Sequence, residues 1–151
     1  MVRKNRTVVI DTYALIADLT GQAPPTATRV LDSVRLGETR GVIHYLIVYE
    51  LAYHWRRKRL PFRNEGELRE FIETYFYVAS LDPVIALEAA EIKVLGDKLL
   101  REAVEYGVRG RKLSTADTTT IALARRLNAP IVTGDRDLAY VAEKIGVKII
   151  W

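Results

Sequence analysis

The sequence predicts an α/β fold in which helices cover both faces of a central parallel sheet. Short apolar runs rich in β-branched residues, which are typical of buried strands, alternate with longer segments of helical periodicity. The chain has 151 residues, 49% of them hydrophobic and 28% charged, so it can bury a core without disulfides or structural metal. No linker, repeat or low-complexity segment divides it. We therefore expect one domain over residues 1–151.

Five strands and seven helices are predicted in chain order. The strands are the short apolar runs at 7–10, 42–45, 75–81, 130–133 and 147–150. The helices are expected at 12–19, 28–36, 46–55, 65–73, 83–106, 114–127 and 137–144. Asp82 before Pro83 is a standard helix start and is interpreted only as a cap. In a parallel sheet, ligands bind beyond the carboxyl ends of the strands, so the residues placed there are the first candidates for a site.

The composition excludes several classes of protein. The chain has no cysteine, which excludes disulfide scaffolds, cysteine-based zinc sites and cysteine nucleophiles. The longest uncharged apolar run, residues 41–49, is far shorter than the roughly 20 residues that span a bilayer. The basic N-terminus is not followed by the apolar stretch of a signal peptide, and we therefore expect a cytoplasmic protein without a membrane partner.

The net charge of +4 is concentrated locally. The basic residues concerned are Arg56, Arg57, Lys58 and Arg59 after the third helix, and Arg109, Arg111 and Lys112 before the sixth. Lysine and arginine release counterions from phosphates, so these two segments could hold a nucleic-acid backbone. For each residue singly, a solvated surface or an interface with an acidic partner is an equally good explanation.

Carboxylates stand at the ends of two predicted strands. Asp11 directly follows the first strand, and Asp135 follows the fourth, with Asp137 two residues later. Because the carboxyl ends of parallel strands meet at one edge of the sheet, we expect these side chains to lie close together. Each also precedes a helix, and for Asp11 an ordinary N-cap explains the residue as well as a functional role does.

Two further acids lie on helices that could flank this edge. Glu50 falls on the apolar stripe that should face the sheet, where a carboxylate is costly unless it is paired or bound to a cation. Asp117 also fits the last position of a helix capping box, so both interpretations stay open for it. His54, one turn after Glu50, is interpreted as a partly buried histidine rather than a ligand.

Together the four carboxylates predict a metal site. At a separation of ~6 Å and an effective dielectric constant near ~20, each pair repels by roughly 3 kcal/mol. All the pairs together would exceed the stability of a small domain. The cluster must therefore take up protons or bind a cation, and ligation by oxygen alone suits Mg²⁺ or Mn²⁺.

The order and spacing of these motifs resemble the PIN domain family across nearly the whole chain. The resemblance is carried by Val9-Ile10-Asp11-Thr12, Tyr49-Glu50, Leu113-Ser114-Thr115-Ala116-Asp117 and Val132-Thr133-Gly134-Asp135-Arg136-Asp137-Leu138. In size the chain is similar to single-domain archaeal and bacterial members, including VapC-type toxins. The resemblance implies a three-layer α/β/α fold and a Mg²⁺- or Mn²⁺-dependent endoribonuclease, the toxin of a type II toxin–antitoxin system.

The resemblance also assigns roles to individual residues. By position, Asp11, Glu50, Asp117 and Asp135 match the acidic quartet of the family, and Asp137 is a fifth acid. Thr133 matches the hydroxyl residue that often precedes the last acids. Which of Asp135 and Asp137 lies closer to the metal stays open.

The expected partners are an RNA substrate, a small antitoxin protein and, from the resemblance, a second copy of the chain. An alternative is a PIN-like RNA-processing or RNA-binding subunit with little activity of its own. A haloacid-dehalogenase-like phosphatase is rejected, because that family needs a second aspartate where Tyr13 stands. The aromatic residues of the third helix are expected in the core or at an interface. They are Tyr45, Tyr49, Tyr53 and Trp55.

Overall fold

A computed structural model of the protein describes residues 6–104, 107 and 110–151. Helices and strands alternate in it as the sequence predicts, and all strand pairs are parallel. The elements are β1 (Arg6–Ile10), α1 (Thr12–Leu19), α2 (Pro25–Arg35), β2 (Thr39–His44), α3 (Tyr45–Arg56), α4 (Glu65–Tyr75), β3 (Phe76–Ala79), α5 (Pro83–Arg101), α6 (Thr115–Leu127), β4 (Ile131–Val132), α7 (Arg136–Lys144) and β5 (Ile149–Ile150).

The strand order β3-β2-β1-β4-β5 places β1 at the centre of the sheet. Val9 of β1 pairs with Val42 of β2 on one side and with Ile131 of β4 on the other. From β1 the chain winds outwards first through β2 and β3, and later through β4 and β5. The order therefore reverses beside β1, and a crevice is expected outside the carboxyl ends of β1 and β4.

Two apolar clusters cover the two faces of the sheet and confirm the three-layer α/β/α architecture. Successive residues of β1 point to opposite faces. Val8 and Ile10 pack against buried residues of α1, α2, α3 and α4. Val9 packs against buried residues of α5, α6 and α7. The helices that carry Glu50 and Asp117 therefore lie in different layers, on opposite sides of β1.

Several element boundaries differ from the predicted ones. The second helix begins at Pro25 rather than at residue 28, because proline lacks only an amide that is unpaired in a first turn. The fifth helix ends at Arg101 rather than near Tyr106, and Tyr106 itself lies outside the described residues. The fourth strand spans only Ile131–Val132, since Pro130 before it has no amide to donate to a neighbouring strand.

The second strand begins earlier than predicted, at Thr39. Thr39 and Arg40 pair with the start of β1, and Gly41 continues the strand. Helix α2 packs closely over Gly41. A Cβ on Gly41 would lie 2.7 Å from Cγ1 of Val34. The close approach of helix and sheet thus explains why this position of the strand is a glycine.

The aromatic residues of α3 were predicted to lie in the core or at an interface, and for the three tyrosines the core is excluded. Tyr45, Tyr49 and Tyr53 are exposed, and only Trp55 packs against the core, where its Nε1 donates to the carbonyl oxygen of Phe62 at 2.8 Å. An interface remains the expectation for these three tyrosines. Within the described part of the chain, no helix is both long enough and apolar enough to cross a membrane.

Candidate active site

Asp11, Glu50, Asp117 and Asp135 line one cavity of about 390 Å³. Asp11 directly follows β1 and Asp135 lies shortly after β4, so strand order alone brings these two carboxylates to the crevice beside β1. Glu50 reaches the cavity from α3 in one layer and Asp117 from α6 in the other. The structure thus brings together the four acids that the sequence analysis selected from separate segments.

Asp11 is a buried carboxylate held at both oxygens. It is 4% exposed, and it caps α1 through a hydrogen bond from the amide of Ala14 to Oδ1 at 3.0 Å. The hydroxyl of Thr133 donates to Oδ2 at 2.6 Å. Burial raises the pKa of Asp11 to about 7 despite these two hydrogen bonds, and the negative charges of Asp117 and Asp135 add to the rise.

Thr133 links the ends of β1 and β4. Besides donating to Asp11, its buried hydroxyl oxygen accepts a hydrogen bond from the amide of Asp135 at 3.0 Å. One side chain therefore orients a carboxylate on one strand end and the backbone on the next. Thr133, the hydroxyl residue that the sequence analysis selected, thus fixes the carboxylate of Asp11 relative to the backbone of Asp135.

Asp117 caps a helix and also lines the cavity. The amide of Ser114 donates to its Oδ2 at 3.1 Å, and its own amide donates to the hydroxyl of Ser114 at 3.1 Å, which completes a capping box for α6. Burial nevertheless raises the pKa of Asp117 to about 6, with a further contribution from the charge of Asp135. The carboxylate is thus a cap and a wall of the cavity at once.

Glu50 lies within α3 and caps no helix. Burial raises its pKa above the ordinary value, and the negative charge of Asp117 raises it further. A half-buried carboxylate on a helix that packs against the sheet has no evident role in folding. Its position is therefore the one that local structure explains least.

The two acids after β4 occupy different surroundings. Asp135 caps α7, accepting hydrogen bonds at Oδ1 from the amides of Asp137 at 2.9 Å and Leu138 at 3.2 Å, and it lines the cavity. Asp137 is not part of the cavity wall; its Oδ2 pairs with Nε of Arg111 at 2.9 Å. The other oxygen, Oδ1, is buried and has no hydrogen-bond partner among the described residues. Of these two acids, only Asp135 lines the cavity.

The first basic segment adjoins the cavity through His54, which lines it. Arg59 contacts Nδ1 of His54 at 3.3 Å, and Arg57 stacks over the ring of Tyr53 at 5.7 Å. His54 is partly buried, as predicted, and burial lowers its pKa, assisted by the charges of Arg59 and Arg57. Arg56, by contrast, pairs with Glu65 at 2.7 Å on the exposed surface.

The second basic segment is described only in part. Arg111 and Lys112 are exposed, and Arg111 forms an ion pair with Asp137. Arg109 lies outside the described residues. Lys58, in the first segment, is exposed and adopts a left-handed backbone with φ of 59° at the end of α3.

Sequence reasoning missed two aromatic residues of the cavity wall and one buried histidine. Tyr13 and Trp151 line the cavity. Trp151 follows β5, so the rule about strand ends, applied to the fifth strand, could have found it. His44 ends β2, where its Nδ1 accepts from the amide of Leu46 at 3.2 Å and its Nε2 contacts the hydroxyl of Thr120 at 2.9 Å. Burial lowers the pKa of His44 to about 4, so this histidine is neutral and connects β2 to α6.

The donor set of the cavity fits a hard divalent cation. Carboxylate oxygens are the ligands that Mg²⁺ and Mn²⁺ prefer. Within the described ranges, no three histidine, aspartate or glutamate side chains stand close enough to hold a single ion between them. A closed cage is not required, however, because Mg²⁺ usually takes one or two protein carboxylates and completes its shell with water and substrate phosphate. Four carboxylates around an open cavity agree with such a site.

The fold is shared with solved structures at low sequence identity. PAE2754 from Pyrobaculum aerophilum is similar at 17% identity and a TM-score of 0.61, over 97% of this chain and 92% of that chain. VapC20 from Mycobacterium tuberculosis, described as a sarcin-ricin loop cleaving toxin, is similar at 17% identity and a TM-score of 0.63, over 93% and 95%. VapBC-1 from nontypeable Haemophilus influenzae is similar at 17% identity and a TM-score of 0.62, over 95% and 96%.

Sequence comparison gives the family. No curated protein matches the chain. The family model of the PIN domain matches residues 8–144, which include the whole sheet except β5 and the first two residues of β1, and all four carboxylates of the cavity. The chain therefore belongs to the PIN domain family.

Proposed function

We propose that this protein is a Mg²⁺- or Mn²⁺-dependent endoribonuclease that hydrolyses RNA phosphodiester bonds. The observation that carries the proposal is the gathering of Asp11, Glu50, Asp117 and Asp135 around one cavity at the point where strand order reverses. Burial raises the pKa of three of them, which means that the apo site holds more charge than its surroundings stabilise. A divalent cation relieves that repulsion, and membership of the PIN domain family supports nuclease chemistry.

The residues of the chain hold and orient the groups that such chemistry needs. A bound Mg²⁺ or Mn²⁺ supplies an activated water and neutralises charge at the phosphate. Asp11, Asp117 and Asp135 are suited to hold it, since hydrogen bonds from helix amides fix each carboxylate. Thr133 keeps the first and last of these in a fixed relation. Glu50 completes the set from the opposite layer.

The basic segments give the RNA a place to bind beside the carboxylates. His54 lines the cavity, and Arg57 and Arg59 lie next to it. Arg111 lies next to Asp137. Contacts from such residues to phosphates position an RNA strand without specifying its sequence. We include Arg56, Lys58, Arg109 and Lys112 in the same proposed surface.

We further propose that the protein is the toxin of a type II toxin–antitoxin system and acts in the cytoplasm. The similar VapC20 is described as a toxin, which supports this biological setting. A small antitoxin protein and a second copy of the chain are the proposed protein partners. The exposed tyrosines of α3 offer an apolar surface for either.

Cleavage of single-stranded RNA by the purified protein tests the proposal. We expect cleavage with Mn²⁺ or Mg²⁺ and none in EDTA. Glu50→Gln removes a cavity carboxylate that caps no helix, and we expect a loss of about two to three orders of magnitude in rate. The matched control is Glu73→Gln, which changes an exposed glutamate of α4 that pairs with Arg69 at 2.9 Å.

Three outcomes separate the alternatives. Cleavage that persists in EDTA, or that proceeds at the wild-type rate in the Glu50→Gln protein, contradicts the metal mechanism. RNA binding without cleavage under any metal favours the alternative function, a PIN-like subunit with little activity of its own. Equal losses in the Glu50→Gln and Glu73→Gln proteins would assign the effect to folding rather than to the site.

A further inference from the structure

Two aromatic side chains form part of the wall of the carboxylate cavity. Tyr13 lies in the first turn of α1, two residues after Asp11, and Trp151 follows β5. Their ring centroids are 5.5 Å apart and their planes meet at 76°, an edge-to-face arrangement. Tyr13 is 50% exposed and Trp151 is 36% exposed. The cavity therefore presents an apolar, aromatic surface next to its charged one.

Gly134 has no side chain and so leaves room for both rings to pack against the backbone. A Cβ on this glycine would lie 2.4 Å from Cε2 of Trp151 and 2.6 Å from Cε1 of Tyr13. Any side chain here would push the rings away, so glycine is required by the close approach of two aromatic groups to the backbone. Gly134 stands between Thr133 and Asp135, and the rings are thus fixed against the turn that carries one of the cavity carboxylates.

The described residues leave part of both rings uncovered. An exposed aromatic surface next to a carboxylate cluster contributes no metal ligand, but it suits a nucleobase, whose flat face stacks on tyrosine and tryptophan. Tyr77 on β3 makes the contrast clear. It is equally exposed, at 51%, but the guanidinium of Arg40 lies 4.2 Å from its ring centroid and it does not line the cavity.

We infer that Tyr13 and Trp151 form a stacking platform, in which one ring stacks on a base of single-stranded RNA next to the phosphate that is cleaved and the other ring, nearly perpendicular to the first, contacts the edge of that base. This inference rests on the proposed ribonuclease function and adds a positioning site to it. Because the rings and the carboxylates line one cavity, a base bound by the rings brings the neighbouring phosphate into the same cavity as the carboxylates. Bases within a duplex are already stacked and cannot use the platform, so unpaired RNA is the preferred substrate.

The test measures the coupling between the rings and one base. All proteins carry Glu50→Gln, so that RNA is cut slowly enough for binding to be measured, and the probes are oligoadenylates that differ only by one abasic nucleotide. We expect Trp151→Leu and Tyr13→Leu to weaken binding of the intact oligonucleotide by roughly 5- to 150-fold. Both variants should bind the abasic oligonucleotide as the parent does. Tyr77→Leu, the control of matched exposure, should change neither affinity.

Tryptophan fluorescence gives a second readout. The chain has two tryptophans, so the quenching that oligoadenylate causes in the parent protein should be largely lost in the Trp151→Leu protein, which keeps only Trp55. Tyr13→Phe and Trp151→Phe retain a ring and should retain most of the coupling. They also keep the test decisive if either leucine variant fails to fold.

The outcomes distinguish this inference from the function on which it rests. Losses that are equal for intact and abasic oligonucleotides would overturn the platform and leave the rings a structural role. Unchanged affinity in every ring variant would overturn it as well, while RNA cleavage by the wild-type protein would still support the ribonuclease. If the wild-type protein neither binds nor cleaves RNA, the proposed function fails first and the platform with it.

Discussion

Asp11 and Asp82 occupy the same local position in two helices. Each is an N-cap with an extended backbone, at φ −94° and ψ 172° for Asp11 and φ −124° and ψ 170° for Asp82. Each accepts a hydrogen bond from the amide three residues later, at 3.0 Å and 2.9 Å. Local structure therefore treats the two aspartates alike.

Their surroundings give the two carboxylates opposite acidities. Burial raises the pKa of Asp11 to about 7, whereas two hydrogen bonds from Arg126, at 2.6 Å and 3.1 Å, are the main reason that the pKa of Asp82 falls to about 2. The difference follows from strand order. Asp11 follows the central strand beside the crevice, and Asp82 follows the edge strand β3. Capping and chemistry are thus not alternatives, since a cap can orient a carboxylate for a site.

The largest expected effect is on RNA cleavage. Asp11→Asn should reduce the rate by about two to three orders of magnitude, because it removes a charged ligand at nearly constant volume. Asp82→Asn should leave the rate unchanged, since this carboxylate faces Arg126 and not the cavity. The measurement is cleavage of a labelled single-stranded RNA in Mn²⁺. Equal cleavage rates for the two variants would contradict the assignment of Asp11 to the site and of Asp82 to a cap alone.

The pH dependence of stability should also separate the two aspartates. The ordinary pKa of aspartate here is 3.8, and that of Asp11 is about 7 in the folded protein, so folding favours its protonated form. The stability that comes from this shift is fully present below pH 4 and is lost as pH rises through 7. For Asp82, whose folded pKa is about 2, the stabilising contribution is present above pH 4 and is lost as pH falls through 2.

Urea unfolding of the metal-free proteins measures this difference. The free energy of unfolding of the wild type should fall between pH 4 and pH 7.5. Asp11→Asn should reduce that fall by up to about 4 kcal/mol, because each pKa unit corresponds to about 1.4 kcal/mol. The free energy of unfolding of Asp11→Asn should still fall somewhat with pH, since burial also raises the pKa values of Asp117 and Glu50. Asp82→Asn should keep the wild-type slope in this range, and a flattened slope in that variant would contradict the assignment.

Much of the site was predictable because sheet topology converts positions in the sequence into positions in space. Asp11 and the acids after β4 could be placed at one edge once the strands were identified as parallel. Glu50 could be added because a carboxylate on a buried helix stripe needs a partner. For Asp82, the proline after it was enough to identify a plain cap.

Other features depend on geometry that a single sequence does not determine. Whether Asp135 or Asp137 lines the cavity depends on the turn after β4 and on the ion pair of Arg111, and neither has a periodic signal. The contact of Trp151 with Gly134 joins a residue after the edge strand β5 to a turn after β4. The tyrosines of α3 could only be predicted to lie in the core or at an interface, because spacing on a helix does not say whether a neighbouring element covers them.

The smallest expected effect is on the melting temperature of a variant of Asp117. Asp117 accepts the hydrogen bonds of a cap, but we expect the loss of its charge to stabilise the metal-free protein, as for Asp11. An asparagine at this position can still accept the hydrogen bond from the amide of Ser114, so the cap is kept and the charge is removed. The pKa of Asp117 is raised to about 6, so at pH 7.5 its ionised form is held against burial and the charge of Asp135. Relief of that cost should outweigh the roughly 0.3–1 kcal/mol lost at the helix N-terminus.

Melting curves at pH 7.5 test this balance against a cap-only control. Metal-free Asp117→Asn protein should melt at or above the wild type, by up to about 6 °C. Saturating Mn²⁺ should raise the melting temperature of the wild type by about 5–10 °C and that of the variant by less. Ser114→Ala removes only the cap hydroxyl, so it should melt lower without metal and retain the full response to Mn²⁺. If instead Asp117→Asn melts lower and responds fully to Mn²⁺, Asp117 is an ordinary cap, and it then belongs with Asp82 rather than with Asp11.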